Sequence, residues 1–451
     1  MASMLDGCTP WPEEFVDHYW AVGHWRGNTL DNLLRGWALR YGPRTALVHG
    51  ATRLTYAQLN RRVDRMAAGF RGRGLRPGMR VVVQLPNVPE FHVVAFALMR
   101  AGLVPVFCPV SHRDPEVPEL VRLTQAVGYV GPATHEGFDH TAMAARIAAE
   151  WPFLRRVFTY EAPGAESPYG GLTTDPSNCQ YAPLASLDAP PEPALPLGAG
   201  QVAFLLPSGT GGLVPRTHDD YAHQVTAAAE LLELSEEDVY LAALPADADL
   251  ALGGPGALGT FAAGATVVLA DTPDPADCLP ALARERVTVA TLPQDTARRW
   301  LDAPPAQASG LRLVQISGAP PDRALAERLG TALGCRVQQV FGLPEGLLTL
   351  TSPSDPSAPA LATHGRLLSP DDQIRLVDPT GAPVPDGTTG ELLTRGPHTV
   401  RGYYHAPDRN TRSFTPDGYL RTAHLAHRTA DGTLVVTGRR DDGDQKGGQS
   451  L

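Results

Sequence analysis

Short β-branched apolar runs recur through the first three quarters of the chain, each closed by Gly or Pro and followed by a stretch of helical periodicity. That alternation predicts parallel strands linked by helices. Strands are expected at VVVQLP (81–86), PVFCPV (105–110), VAFLLP (202–207), VYLAALP (239–245), TVVLA (266–270), VTVATLP (287–293), LRLVQIS (311–317) and RVQQVFG (336–342). Helices are expected over LTYAQLNRRVDRMAAGFRGRG, EFHVVAFALMRAG, DDYAHQVTAAAELLEL and DRALAERLGTALG. In the last, Leu325, Leu329 and Leu333 mark a buried face, while Arg323, Glu327 and Arg328 stay wet.

The Pro-, Gly- and Ala-rich segment 160–200 reads as a linker or surface crossing that separates two α/β units. After about residue 350 the helical period fades. DQIRLVDPTGAPVPDGTTGELLTRG and DGTLVVTGR then read as hairpins with D-P-T-G and D-G turns, which predicts a small antiparallel β unit.

Composition narrows the function. With 451 residues, 43% of them apolar, the chain can bury a large interior, and a net charge of −10 argues against a nucleic-acid surface. Neither a signal peptide nor an apolar run of membrane-spanning length is present, so no membrane partner is expected. Cys8, Cys108, Cys179, Cys278 and Cys335 are scattered and odd in number, which suggests neither a disulfide framework nor a zinc site and fits a reducing cytoplasm. Lys446 is the sole lysine. Chemistry that needs a lysine has one candidate.

The stretch LLPSGTGGLVPRTHDDY (205–221) carries a strand into a glycine-rich loop and then a helix, the layout of a phosphate cradle built from backbone N–H groups. Such loops usually add a lysine. None lies between Ser208 and Pro215.

GCTPWPEEFVDHYWAVGHWRGNTL, LTYAQLN, RVVVQLPNVPEF, PVFCPVSHR, PRTHDDY, QQVFGLPEG, LLTRGPHTVRGYY and DGYLRT together resemble the adenylate-forming superfamily, and within it the 2,3-dihydroxybenzoate or salicylate AMP ligases of siderophore pathways. The resemblance runs in order along nearly the whole chain. It implies two stacked α/β subdomains with mostly parallel sheets plus a small distorted β-barrel: 1–190 and 191–348 as the α/β subdomains, 349–438 as the barrel, and 439–451 as a hinge remnant. It also implies the family reaction, in which an acid attacks ATP to give an acyl-adenylate and pyrophosphate, and the acyl group then passes to a carrier-protein thiol.

Residue by residue, the resemblance makes Glu345 the carboxylate that helps hold Mg²⁺ beside the phosphates, a role one acid can fill when phosphates supply further ligands. Otherwise it would be a solvated loop Glu. Ser208, Gly209, Thr210, Gly211 and Gly212 form the phosphate loop. Gly318 and Ala319 match a backbone platform for adenine, or an ordinary strand-to-helix turn. Phe341 and Gly342 border the nucleotide and acid pockets, Phe341 being equally readable as a core residue. Arg439 matches a ribose-contacting arginine, or is a surface one. Asp249, Gly253 and Gly254 fall in the acid-binding run.

The pattern also breaks. The loop is about four residues shorter than the family's, roughly 13 Å of extended chain, and its lysine is missing. Arg216 is no replacement, since the family has that arginine as well. Asp249 stands where aryl-acid enzymes have Asn, which favours an amine-bearing ligand, or else it is an exposed Asp of the acidic ADAD run. Gly253 replaces a Ser and is expected to enlarge the pocket. His424 replaces an Asp that spans two ribose hydroxyls, and an imidazole offers one acceptor at most. Finally, GRRDDGDQKGGQSL matches the family hinge, with Asp442 as its pivot, so the C-terminal domain and its lysine are expected to be absent.

These features predict an aryl-acid AMP ligase-like protein that binds an aryl or amino-aryl acid or its adenylate, with Mg and ATP or AMP held weakly and adenylation impaired or altered. Two alternatives stand beside it: a non-catalytic binding partner for a carrier protein, and an active enzyme completed by a separate C-terminal domain.

Overall fold

The computed structural model describes residues 4–165, 167–209, 211–303, 310–352 and 362–440. One large sheet has eight strands in the order Leu213–Thr217, Val202–Pro207, Val104–Phe107, Arg80–Val83, Gly128–Pro132, Arg156–Tyr160, Gln180–Pro183 and Thr173–Thr174. It is parallel except at its two edges. The other large sheet has nine: Arg366–Leu367, Leu348–Leu350, Arg336–Gly342, Leu313–Ser317, Val289–Pro293, Val239–Ala242, Thr266–Leu269, Thr45–His49 and Thr52–Thr55. Its six central strands are parallel. The predicted small β unit is a four-stranded antiparallel sheet of Gln373–Val377, Gly390–Arg395, Leu420–Arg428 and Leu434–Arg439.

Helices join the two large sheets into one core. EFHVVAFALMRAG is apolar on every side, and its helix, Pro89–Arg100, is buried at every position except Glu90, as an all-round apolar helix must be. Phe91 packs on Phe107 at 5.2 Å between ring centres, Phe107 on Phe204 at 5.3 Å, and Phe204 on Tyr221 at 4.7 Å, so the eight-stranded sheet is bound to two helices by one aromatic file. The cation of that helix, Arg100, lies 3.0 Å from Asp64, which offsets the cost of its burial. Two helices start on capping boxes, Thr55 with Gln58 ahead of Tyr56–Gly72, and Thr217 with Asp220 ahead of His218–Leu231.

Several expectations are corrected. The predicted strands 81–86, 105–110 and 239–245 stop at Val83, Phe107 and Ala242, short of Pro86, Pro109 and Pro245, which have no N–H for the ladder. Segment 160–200 is no mere linker: Gln180–Pro183 pairs in parallel with Arg156–Tyr160, and Tyr181, Leu184 and Leu187 are buried. Nor do the sheets divide at residue 190. Strands 45–55 belong with the second half of the chain and strands 202–217 with the first, because lateral pairing rather than chain order sets sheet membership. Among the described residues no helix is long and apolar enough to cross a membrane.

Asp372, at the entry to the small sheet, is buried beside His398, with its Oδ1 3.3 Å from His398 Nδ1 and its Oδ2 accepting from the Ser369 N–H at 3.0 Å. Burial pushes the Asp372 carboxyl up to about 8, and burial also holds His398 well below the usual imidazole value. The two therefore meet as neutral groups at pH 7. An Asp whose folded pKa is raised binds a proton that the unfolded chain releases near 4, so its contribution to stability is lost as pH rises through about 8. Asp372→Asn, which folds without taking up a proton, is expected to exceed the parent in urea-unfolding stability at pH 7 and by a larger margin at pH 9, and to lose that advantage at pH 4. A loss of about 3–5 kcal/mol at pH 7 would instead identify a charged pair.

Candidate active site

The parallel strands Leu313–Ser317 and Arg336–Gly342 end side by side, and the turns that leave their carboxyl ends face the small sheet. Carboxyl ends of parallel strands are where open α/β sheets build sites. Gly318, Ala319, Phe341, Gly342, His424 and Arg439 line one cleft of about 340 Å³. All six are candidates that the sequence nominates. His424 and Arg439 come together because Leu420–Arg428 and Leu434–Arg439 pair with these two residues in register. Phe341 has both proposed positions at once, lining the cleft and packing in the small sheet's core with Leu376 and Leu392.

His424 is oriented by its own backbone. Its Nδ1 lies 2.9 Å from the Thr422 carbonyl oxygen and donates to it, which leaves Nε2 as the ring's acceptor. The ring meets Phe341 edge-on at 5.0 Å. Burial lowers its proton affinity, while the Thr422 carbonyl and the nearby Glu345 charge oppose that shift. The preceding Ala423 is held at φ +58°, in the left-handed region that disfavours a Cβ.

Glu345 is not a solvated loop residue. It is 4% exposed, in the turn after Arg336–Gly342, and its Oε1 accepts from Ser208 Oγ at 2.6 Å and from the Tyr403 hydroxyl at 2.9 Å. The first residue of the glycine loop and the turn carboxylate thus form one unit. Among the described residues no cluster of three or more His, Cys, Asp or Glu could hold a metal. A magnesium ion would fit at Glu345 alone, since Mg²⁺ commonly takes one or two carboxylates and completes its shell with phosphate and water.

The glycine loop is a tight hairpin. Val202–Pro207 and Leu213–Thr217 pair antiparallel, Ser208 N–H donates to the Gly212 carbonyl at 3.0 Å, and Gly211 N–H donates to the Ser208 carbonyl at 2.9 Å. Gly211 and Gly212 have φ of +84° and +80°, the turn geometry that glycine permits. Gly209 lies at the apex beside Thr210, which is outside the described residues, as are Asp442 and Lys446.

Behind the loop, Arg216 is fully buried. Its Nε donates to Asp220 at 2.7 Å, Nη1 to the Pro344 carbonyl at 2.9 Å, and Nη2 to Gln224 at 2.9 Å and the His398 carbonyl at 3.2 Å. Asp249, 8% exposed, is corrected from an exposed loop Asp to a buried one: its Oδ1 takes the Tyr221 hydroxyl at 3.0 Å and lies 3.7 Å from Arg216. Burial raises the Asp249 carboxyl and Arg216 opposes the rise. An internal cation therefore answers it in part, with Oδ2 buried and without a hydrogen-bond partner among the described residues. Gly253 is packed rather than open, since a Cβ there would lie 2.6 Å from the Tyr221 ring and Gln224 donates to its carbonyl at 3.2 Å. The expected enlargement of the pocket is filled by Tyr221. Asp249, Gly253 and Gly254 do not line the cleft; their neighbour Leu250 does.

Sequence reading missed the partners that come from far along the chain. Tyr403 lies inside the run LLTRGPHTVRGYY, yet nothing local ties its hydroxyl to Glu345. Arg409, whose Nη1 donates to the Gly211 carbonyl from 198 residues away, carries no signal at all.

Comparison with known proteins points the same way. A family model described as AMP-binding enzyme matches residues 34–404. The 2,3-dihydroxybenzoate-AMP ligase of Bacillus subtilis is 40% identical, over 99% of this chain and 82% of its own length. The salicyl-AMP ligase / salicyl-S-ArCP synthetase of Mycobacterium tuberculosis is also 40% identical, over 99% of this chain and 79% of its own. Among solved structures, the apo structure of Mycobacterium smegmatis MbtA superposes with a TM-score of 0.88 at 40% identity, covering 97% of this chain and 81% of that one.

Arg216→Met leaves Asp220 and Asp249 buried without their cation and is expected to cost about 3–5 kcal/mol in urea unfolding. Losing the cation raises both folded carboxyls further above their unfolded values, so the folded state binds protons that the unfolded state does not, and stability falls as pH rises. The deficit should therefore be larger at pH 8 than at pH 5.5. An equal deficit at both would show that the carboxylates do not depend on Arg216.

Proposed function

This chain belongs to the AMP-binding enzyme family, and on that premise we propose that it activates an aryl or amino-aryl acid as its adenylate in a siderophore-type or nonribosomal peptide pathway. The observation that carries the reading is the meeting of Gly318, Ala319, Phe341, Gly342, His424 and Arg439 in one cleft at the strand ends, beside the Ser208–Glu345 unit. The acid's carboxylate oxygen attacks the α-phosphorus of ATP, and the bond from that phosphorus to the bridging oxygen breaks to release pyrophosphate. The acceptor we propose is a carrier-protein thiol, in keeping with the name of the Mycobacterium tuberculosis relative.

In this reading Gly318 and Ala319 present backbone to the adenine, and Arg439 borders the ribose. Glu345 would hold a magnesium ion, which neutralises phosphate charge when bound. His424 offers Nε2 to a single ribose hydroxyl where a carboxylate would serve two, so nucleotide binding is weaker than in a protein with Asp at that position.

The test is ATP–pyrophosphate exchange over a panel of hydroxy- and aminobenzoates, read alongside the rise in melting temperature with ATP and with each acid. Exchange with one class of acid and saturable stabilisation by ATP are expected. Absence of both would end the reading; stabilisation by an acid without exchange would favour a non-catalytic binder. His424→Asp is expected to lower the KM for ATP about tenfold, the worth of a hydrogen bond to a charged group, with the KM for the acid unchanged.

A further inference from the structure

The glycine loop has no lysine, yet a cation sits on it. Arg409 Nη1 donates to the Gly211 carbonyl, and the guanidinium is stacked on the Tyr403 ring at 3.8 Å. The loop is shaped to admit it: a Cβ at Gly212 would lie 2.9 Å from Nη1. Tyr403 in turn donates its hydroxyl to Glu345, which also takes the Ser208 hydroxyl that opens the loop. Arg409, Tyr403, Glu345, Ser208 and the two glycines form one connected assembly of a cation, a flexible turn and a metal-capable carboxylate.

We propose that Arg409 is a phosphate-binding residue, which supplies at the shortened loop the positive charge that the loop's own sequence lacks, for the pyrophosphate portion of a nucleoside triphosphate. This deepens the adenylating reading and rests on it for the identity of the nucleotide. A guanidinium suits this role because it is planar, stays charged at every accessible pH, and matches phosphate oxygens with paired N–H groups. Stacking on Tyr403 restricts the side chain before any ligand arrives, which lowers the entropy lost on binding. Arg216, on the strand that leaves the loop, is enclosed by Asp220, Gln224 and two carbonyls. Arg409, by contrast, is part-exposed.

The experiment is calorimetric titration of the parent chain, Arg409→Gln and Arg409→Lys with inorganic pyrophosphate, Mg·ATP and adenosine. Gln removes the charge and Lys keeps it, so the two variants together separate charge from the guanidinium's contact with the loop. Arg409→Gln is expected to weaken pyrophosphate and ATP about ten- to a hundredfold, as loss of a charged hydrogen-bond partner does, and to leave adenosine within about twofold. Arg409→Lys should retain part of the affinity, and the salt dependence of pyrophosphate binding should flatten in the Gln variant. Pyrophosphate affinity unchanged in Arg409→Gln, or no pyrophosphate binding by the parent, overturns the proposal. If the parent binds pyrophosphate through Arg409 but fails to bind adenosine, the phosphate role stands and the nucleotide reading falls.

Discussion

A guanidinium with no access to solvent is the constraint that sets the geometry of the site. Burying a cation costs several kcal/mol unless its charge is answered and its donors are satisfied. Arg216 meets that demand with partners from three parts of the chain: Asp220 and Gln224 on the helix His218–Leu231, Pro344 in the turn after Arg336–Gly342, and His398 before the small sheet's crossing. Those parts cannot shift relative to one another without stranding the charge. Glu345 adjoins Pro344, and its own carbonyl accepts from the Val400 N–H at 2.9 Å, so its position is inherited from the same lock. The hairpin that carries the glycine loop holds Arg216 in its second strand, Leu213–Thr217.

This lock also decides what Asp249 can do. A buried carboxylate needs a cation or donors, and the sequence left open whether a ligand's ammonium group would provide them. Arg216 and Tyr221 answer its Oδ1 from within, while its buried Oδ2 has no hydrogen-bond partner among the described residues. The charge is thus shared with Arg216, and only Oδ2 is left for a further donor. Tyr221 is closed against Gly253, and Leu250 forms part of the cleft wall.

Much of this was legible in the sequence, and the legible parts share a cause. Strands Val202–Pro207 and Arg336–Gly342 coincide with the expected 202–207 and 336–342, the first because it reads as an unbroken apolar run and the second because its Val337, Val340 and Phe341 mark a strand although Gln338 and Gln339 interrupt it. Gly318, Phe341 and Glu345 are nominated by the family resemblance, and they lie after strand ends, where such sheets build sites. The failures have a common cause too. Gln180–Pro183 hides in a Pro- and Ala-rich stretch because its pairing partner, not its own composition, makes it a strand. Thr45–His49 joins a sheet whose neighbouring strand is more than two hundred residues away, and Arg409 reaches Gly211 across a similar separation. Local pattern carries no trace of such contacts. The loop's own residues lack a cation, as its sequence says, but the space around the loop does not.

The single lysine then takes on a different meaning. A lysine buried as Arg216 is would tend to shed its proton, since burial lowers the ammonium pKa, whereas a guanidinium remains charged. A site built on arginines fixes charge but does not accept or release protons near neutrality. The chemistry proposed here asks for no more than that. A benzoate-type acid is already ionised at pH 7, so its attack on a phosphoryl group removes no proton from the nucleophile, and catalysis reduces to positioning and charge neutralisation. His424, the one imidazole among the described residues that lines the cleft, commits Nδ1 to a backbone carbonyl, and burial lowers its proton affinity, in line with a binding role and not a proton-transfer one. The site's arginines, its single turn carboxylate and its neutral histidine are consistent with one another as parts of an electrostatic cradle.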